Sequence, residues 1–159
     1  MSVKDTDLGW REIVKELTLF SELEVLIGFQ GGNIGEVALI ASYHEFGTTD
    51  GAGNLWIPAR PFLSSAMDVG KEQIGKALDA AFNAMVNRTQ TAVQVASRLG
   101  LLGVSLVKKR ILSSKEWAKS LELETVARKG SSKPLVDTAQ MINSVTYAVK
   151  RGETVVATG

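Results

Sequence analysis

The longest regular stretch of the chain, residues 62–112, reads FLSSAMDVGKEQIGKALDAAFNAMVNRTQTAVQVASRLGLLGVSLVKKRIL. Its apolar residues recur at the three- and four-residue spacing of a helix, and it contains no proline. Asn87 and Thr89 interrupt the pattern, because their side chains compete locally for backbone hydrogen bonds. The stretch therefore predicts two long helices or one bent helix, closed by the basic residues 108–110 beside the negative end of the helix dipole.

The segments before this helical region predict a helix, a strand and another helix. Apolar side chains at positions 10, 13, 14, 17 and 20 share one face of a helix over residues 8–20. The run EVLIGF at residues 24–29 predicts a strand that ends in a turn at Gly31 and Gly32. Residues 35–46 predict the second helix, which ends at Gly47, where a left-handed cap is cheap.

The segments after the helical region predict a helical turn and a β-hairpin. Residues 137–142 have the pattern of a capped turn, with Asp137 or Thr138 as the N-cap. Apolar residues then alternate over residues 145–149, and a second β-rich run covers residues 154–157. The sequence thus predicts a single α+β domain over residues 1–159, with a small, mainly antiparallel sheet packed under helices and a long central helical region.

Two segments without apolar periodicity predict long loops. Residues 47–61 contain three glycines and two prolines, which supply positive and fixed φ values. Residues 113–133 are polar, with a helical turn expected around residues 117–125. Loops of this length inside a compact domain are often functional.

Composition limits the classes of function. The 159 residues carry 18 Lys+Arg against 17 Asp+Glu, and a net charge of +1 is not that of a domain built around nucleic acid. The absence of cysteine excludes disulfides, zinc-thiolate sites and thiol catalysis. The first ten residues include Asp5 and Asp7 and no apolar run, so we expect neither a signal peptide nor a membrane-spanning start, and a cytoplasmic product.

Motifs of enzymes and metal sites are missing from the sequence. His44 is the only histidine, which excludes the paired-histidine zinc helix. The glycine-rich residues 28–35, GFQGGNIG, follow a predicted strand but lack the G-x-G-x-x-G spacing of a dinucleotide-binding turn. We expect no catalytic residue, no metal and no cofactor. A nucleotide-using or hydrolytic enzyme built on residues 28–35, with Glu45 or Asp50 as its acidic partner, is the least favoured alternative.

Two basic segments support another alternative, a small nucleic-acid-binding accessory protein. They are KKR at residues 108–110 and RKGSSK at residues 128–133. Such side chains are able to contact phosphates, although helix-dipole compensation and solubility explain them equally well. No aromatic residue lies between these charges to stack on bases, so nucleic-acid contact is not expected to be the primary function.

Three motifs occur in order along the chain: YHEFGT at residues 43–48, IPARPFL at residues 57–63, and KGSSKPLVDT at residues 129–138, which leads into SVTY at residues 144–147. Together they resemble the tail-completion, or head-tail joining, family of minor virion proteins in tailed bacteriophages and prophages. The resemblance spans residues 25–149. The chain departs from the family at Ala139, where glycine is usual, and over residues 117–125, which lack the prolines common there.

The resemblance implies a non-enzymatic structural protein of the virion, present in the host cytoplasm during assembly. Its expected partners are copies of itself in a ring, the phage connector and the tail-tube proteins, with no membrane contact. We expect the interface to use His44 and Phe46 of the first motif together with Trp56, Ile57, Arg60 and Phe62 in and beside the second.

Physical properties of residues 56–62 fit an interface. Pro58 and Pro61 limit the conformations of Arg60, and Trp56 is the type of aromatic anchor that interfaces favour. An alternative stays open, in which Ile57 and Phe62 tuck the loop onto its own domain.

Overall fold

The computed structural model describes residues 7–30, 35–118 and 140–159 of the chain. The helices in these ranges are α1 (Trp10–Ser21), α2 (Gly35–Phe46), α3 (Phe62–Val86), α4 (Ala92–Leu112), α5 (Ser114–Trp117) and α6 (Gln140–Asn143). The strands are β1 (Leu23–Phe29), β2 (Thr48–Thr49), β3 (Leu55–Ile57), β4 (Val145–Arg151) and β5 (Thr154–Thr158). The fold is α+β, with a small antiparallel sheet packed against helices.

The main sheet has three strands in the order β1-β4-β5, all antiparallel. β1 pairs with β4 over its whole length, from Leu23 opposite Arg151 to Phe29 opposite Val145. β4 and β5 form a hairpin that turns at Gly152, whose φ is 57°. β2 and β3 form a separate two-stranded ribbon.

α4 lies directly on the main sheet because two of its residues have no side chain. A Cβ at Gly100 would overlap the ring of Tyr147, and one at Gly103 would overlap the side chain of Ile27. α4 also contributes to each of the three buried apolar clusters, through Leu106, Val107 and Ile111 in the first, Ala92 and Val95 in the second, and Ala96 in the third. This helix is therefore the centre of the core.

The elements expected from periodicity are confirmed, with bounds within two residues for α1, β1, α2, β4 and β5. The expected break in the central region is also confirmed, since α3 ends at Val86 and α4 begins at Ala92. Between them Arg88 adopts a φ of 57°. Thr91 caps α4 by accepting a hydrogen bond from the backbone N–H of Gln94, whose side chain accepts one from Thr91 in return. The turn at Gly31 and Gly32 and the caps Asp137 and Thr138 lie outside the described residues.

Both predicted loops contain regular structure. The strands within residues 47–61 were not expected, whereas a helical turn within residues 113–133 was expected, although around residues 117–125. Within residues 47–61 the strands β2 and β3 pair with each other. Within residues 113–133 the helical turn α5 occupies Ser114–Trp117, with Ser114 fully buried. Residues 119–133 lie outside the described part of the chain. Elements of two to four residues are too short to give a periodic signal.

Candidate assembly surface

The motifs at residues 43–48 and 57–63 meet at the start of α3. Glu45, in the last turn of α2, is buried. Its carboxylate accepts hydrogen bonds from the backbone N–H groups of Leu63 (2.8 Å) and Ser64 (3.0 Å) and from the Ser64 hydroxyl (2.7 Å). The first N–H groups of a helix have no partner within it and form a positive dipole end. Glu45 therefore caps α3 from another helix.

Backbone contacts close the same unit, residues 43–64, which we call the clasp. The Arg60 N–H donates a hydrogen bond of 2.6 Å to the His44 carbonyl oxygen. Gly47 follows α2 with a φ of 74°, and a Cβ there would lie 2.8 Å from the Ala59 nitrogen and 2.9 Å from the Ile57 oxygen. Because both are backbone atoms, only glycine fits this position without moving the chain.

Asp50 builds the turn between β2 and β3. Its carboxylate accepts hydrogen bonds from the backbone N–H groups of Ala52 (2.9 Å) and Asn54 (2.8 Å) and from the Asn54 side-chain amide (3.0 Å). The bond from the Asn54 side chain, followed by those from backbone N–H groups, holds the pKa of Asp50 below its ordinary value. The hairpin thus has a defined tip despite its full exposure to solvent.

Large apolar side chains are exposed along α2 and this hairpin. Phe46 is 81% exposed and Trp56 75%, and Leu55 beside Trp56 is also exposed. On α2, the exposed residues Leu39, Tyr43 and Phe46 recur at helical spacing, with Ile40 next to them. These six side chains are called the α2–hairpin surface. Exposed apolar groups of this size are typical of protein-protein interfaces.

The charges around the α2–hairpin surface are acidic. Residues 35–59 contain Glu36, Glu45 and Asp50 but neither lysine nor arginine. Glu45 is buried in the clasp, whereas Glu36 and Asp50 are exposed at the start of α2 and at the tip of the hairpin. The surface is therefore apolar with an exposed carboxylate at each of these two points.

The six residues expected at an interface differ in how far they are buried. Trp56 and Phe46 face solvent, and Ile57 and His44 are partly buried. Arg60, in contrast, is only 4% exposed. Burial lowers the pKa of its guanidinium, although an arginine stays charged at physiological pH.

Phe62 is also interior, with its ring packed edge-on against that of Phe29 at 6.3 Å between centroids. In the folded subunit Arg60 and Phe62 therefore have no surface to offer a neighbour. The interface hypothesis is therefore corrected to leave out these two side chains. Both lie inside the clasp, and for Phe62 this matches the alternative in which it holds the loop onto its own domain.

The residues of the basic run 108–110 differ in their surroundings, and Arg110 makes contacts within the subunit. The guanidinium of Arg110 lies over the ring of Trp117, 4.0 Å from its centroid, and its Nε donates a hydrogen bond to the Ser65 hydroxyl at 2.9 Å. The indole N–H of Trp117 donates to the Arg110 carbonyl oxygen at 2.9 Å. Trp117, which is not among these charges in the sequence, thus lies beside Arg110, whose guanidinium covers its ring. Residues 128–133, the other basic segment, lie outside the described ranges.

A second surface, which sequence reasoning missed, lies on the outer side of α4. It is an open groove of about 650 Å³, called the α4 groove, lined by Leu101, Val104, Ser105, Lys108, Lys109, Leu112, Ser113 and Glu116. Leu101 is 56% exposed and Leu112 50%. α4 itself carries Arg98, Lys108, Lys109 and Arg110 and no acidic residue. The lining of this groove therefore combines apolar side chains with two lysines and one glutamate.

A smaller cavity of about 350 Å³ lies between α1 and the turn from α3 to α4. Its charged side chains make structural bonds: Glu16 accepts a hydrogen bond of 2.6 Å from the Ala92 N–H, and Arg88 forms an ion pair with Glu12 at 3.5 Å.

Within residues 7–30, 35–118 and 140–159, His, Cys, Asp and Glu side chains nowhere gather in the group of three or more that would suit a metal ion. No helix in these ranges is long and apolar enough to span a bilayer. Comparison of the chain with protein-family models, with curated proteins and with solved structures finds no match.

Proposed function

We propose that this chain is a non-enzymatic structural subunit of a tailed bacteriophage or prophage virion. It acts in tail completion or head-tail joining, and it does so as a ring built from copies of itself. The clasp carries the proposal. Its two motifs are those that resemble the tail-completion family, and Glu45 of the first caps the helix that begins in the second. The clasp thus gives a physical reason for these motifs to occur together.

The clasp also presents its exposed aromatic residues in a fixed conformation. Ordering a loop when it binds opposes association, and a loop that is ordered beforehand avoids this loss. The turn at Asp50, the backbone contacts of Gly47 and the cap made by Glu45 hold the hairpin before any partner arrives. Trp56 and Phe46 are then able to bury apolar surface against a neighbour, at about 25 cal/mol for each Å².

The proposed partners are other copies of this chain, the phage connector and the tail-tube proteins, in the virion and in the host cytoplasm during assembly. Identical subunits that meet head to tail close into a ring when the rotation between them permits it. The alternative function in nucleic-acid binding has less support, because Arg110 is held by Trp117 and Ser65. Nucleic-acid contact through Lys108 and Lys109 is secondary in this proposal.

Deletion of the gene from the phage or prophage genome that carries it tests the proposal. Electron micrographs of the lysate should show heads and tails that are not joined, and supplying the wild-type gene should restore joined particles. Trp56→Ser should restore few of them. Phe82→Ser is the matched control, because Phe82 is an exposed aromatic residue of α3 outside the α2–hairpin surface. Normal joined virions from the deletion would contradict the proposed function.

A further inference from the structure

We infer that the ring contact is formed by the α2–hairpin surface of one copy seated in the α4 groove of the next copy. The inference rests on the proposed function, which supplies the ring, and it identifies the two faces that meet. The two faces come from different elements, and the apolar side chains of both are exposed within the part of the chain that the structure describes.

Charge selects the pairing. Glu36 and Asp50 are exposed on the same elements as the α2–hairpin surface, and residues 35–59 contain neither lysine nor arginine. The α4 groove has Lys108 and Lys109 in its lining, with Glu116 as the acidic residue there. Opposite charges favour placing one face on the other and set its orientation. Like charges oppose a two-fold contact of either face with its own copy.

The apolar parts of the two faces also correspond. Leu101 and Leu112 of the groove are each at least half exposed, so they still have apolar area to bury. Trp56 and Phe46 on the opposite face are the aromatic side chains that anchor interfaces when they enter apolar pockets. A contact between the faces would cover both sets at once.

The two faces are able to act at the same time. The groove is lined by residues 101–116, from α4, α5 and the residue between them, whereas the α2–hairpin surface belongs to α2 and β3. No residue is shared, and we infer that each copy binds one neighbour through its groove and another through its hairpin. This is the head-to-tail arrangement that closes rings.

A mixing experiment tests the pairing. One variant, Trp56→Ser, damages the α2–hairpin surface and keeps the groove. The other, Lys108→Glu with Lys109→Glu, damages the groove and keeps the α2–hairpin surface. In sedimentation and native mass spectrometry, wild type should form a closed oligomer, and each variant alone should associate at least about 30-fold more weakly, as expected for loss of an interface anchor.

An equal mixture of the two variants restores one intact contact for each pair of chains. We expect heterodimers of the two variants and nothing larger, since the remaining faces are both damaged. Lys71→Glu with Lys76→Glu, an equal charge change on exposed positions of α3, is the matched control and should assemble as wild type does. Circular dichroism and thermal unfolding show that each variant is folded.

The outcomes separate this inference from the proposed function. A wild-type oligomer combined with no heterodimer in the mixture would overturn the pairing of these faces and leave the ring intact. A wild-type chain that stays monomeric up to millimolar concentration would also overturn it, whereas unjoined heads and tails in the deletion strain would still support a role in joining. Heterodimers from the mixture together with normal virions from the deletion strain would support the pairing and contradict the function.

Discussion

The carboxylate of Glu45 in α2 lies 2.8 Å from the backbone nitrogen of Leu63 in the first turn of α3. A similar relationship occurs at the other long helix, where the carboxylate of Glu16 in α1 lies 2.6 Å from the backbone nitrogen of Ala92. Both central helices therefore begin at a carboxylate supplied by a different helix. Since a carboxylate satisfies free N–H groups and complements the dipole, these two contacts fix where α1 and α2 attach to the α3–α4 pair.

Glu45→Ala should lower the free energy of unfolding by about 1–2 kcal/mol, because it removes a helix cap and leaves partly buried N–H groups without their acceptor. Glu45→Gln should fall between alanine and wild type, since it keeps one acceptor oxygen. Urea unfolding measures the effect. Glu72→Ala, at an exposed ion pair on α3, is the control and should change stability by less than about 0.5 kcal/mol. Equal effects at positions 45 and 72 would show that Glu45 is not a cap.

Arg60→Ala should destabilise the single subunit by about 3 kcal/mol, because it removes a large buried side chain. Arg60→Met should recover part of the loss by keeping apolar volume. Chemical unfolding of both variants, with exposed Arg11→Ala as the control, gives the comparison. If the free energy of unfolding of Arg60→Ala equals that of the wild type, Arg60 does not stabilise the subunit and is again a candidate for the interface.

Gly47→Ala should be more destabilising than Gly53→Ala, although both glycines have positive φ values. At position 53 a Cβ meets nothing within 4 Å, so the effect is the strain of a left-handed alanine, about 1 kcal/mol. At position 47 the Cβ also meets backbone atoms of Ile57 and Ala59, and the total should reach about 2 kcal/mol or more. Unfolding midpoints of the two variants decide this, and equal midpoints would contradict the close approach at Gly47.

The hairpin turn should loosen in acid. The pKa of Asp50 is lower in the folded chain than in the unfolded chain. The hydrogen bonds of its carboxylate therefore stabilise the turn fully at any pH above the ordinary pKa of an aspartate. That stabilisation is lost as the pH falls through the folded-state pKa. The amide chemical shifts of Ala52 and Asn54 should therefore move in an acid titration, while the same shifts in Asp50→Asn should stay nearly constant. Matching titrations in the two proteins would show that the Asp50 carboxylate does not hold the turn.

Trp56→Ser should leave the stability of the monomer within about 0.5 kcal/mol of wild type, because an exposed side chain contributes little to the folded subunit. Thermal unfolding at low protein concentration measures this separately from association. A large loss of stability would mean that Trp56 packs within its own subunit instead of serving as an anchor.

The long elements could be predicted from the sequence, whereas the short ribbon of β2 and β3 could not. α3 and α4 repeat their apolar spacing over several turns, and the break between them has local polar signals at Asn87 and Thr89. The ribbon of β2 and β3 depends on pairing across the turn at Asp50. Strands of so few residues show no repeat of apolar side chains in the sequence.

The candidate site was predicted only in part. Trp56 and Phe46 are exposed, and their place in an interface stays a prediction. The partners of Glu45 are backbone groups 18 and 19 residues away, a distance that no local spacing rule covers. Arg60 was expected at the interface because Pro58 and Pro61 limit its conformations, and that pattern does not show on which side of the loop its side chain lies. The α4 groove could not be predicted, since periodicity does not show which part of a helix face its neighbours leave uncovered.

The pairing of β1 with β4 has a consequence for synthesis in the cell. Phe29 of β1 finds its partner Val145 more than 100 residues later in the chain. At ribosomal rates of about 5–20 residues per second, β1 leaves the ribosome roughly 6–25 s before β4 is available. During that interval α4 has no completed sheet beneath Gly100 and Gly103. Nascent chains therefore wait with part of their core open, and premature association between them would begin on crowded polysomes.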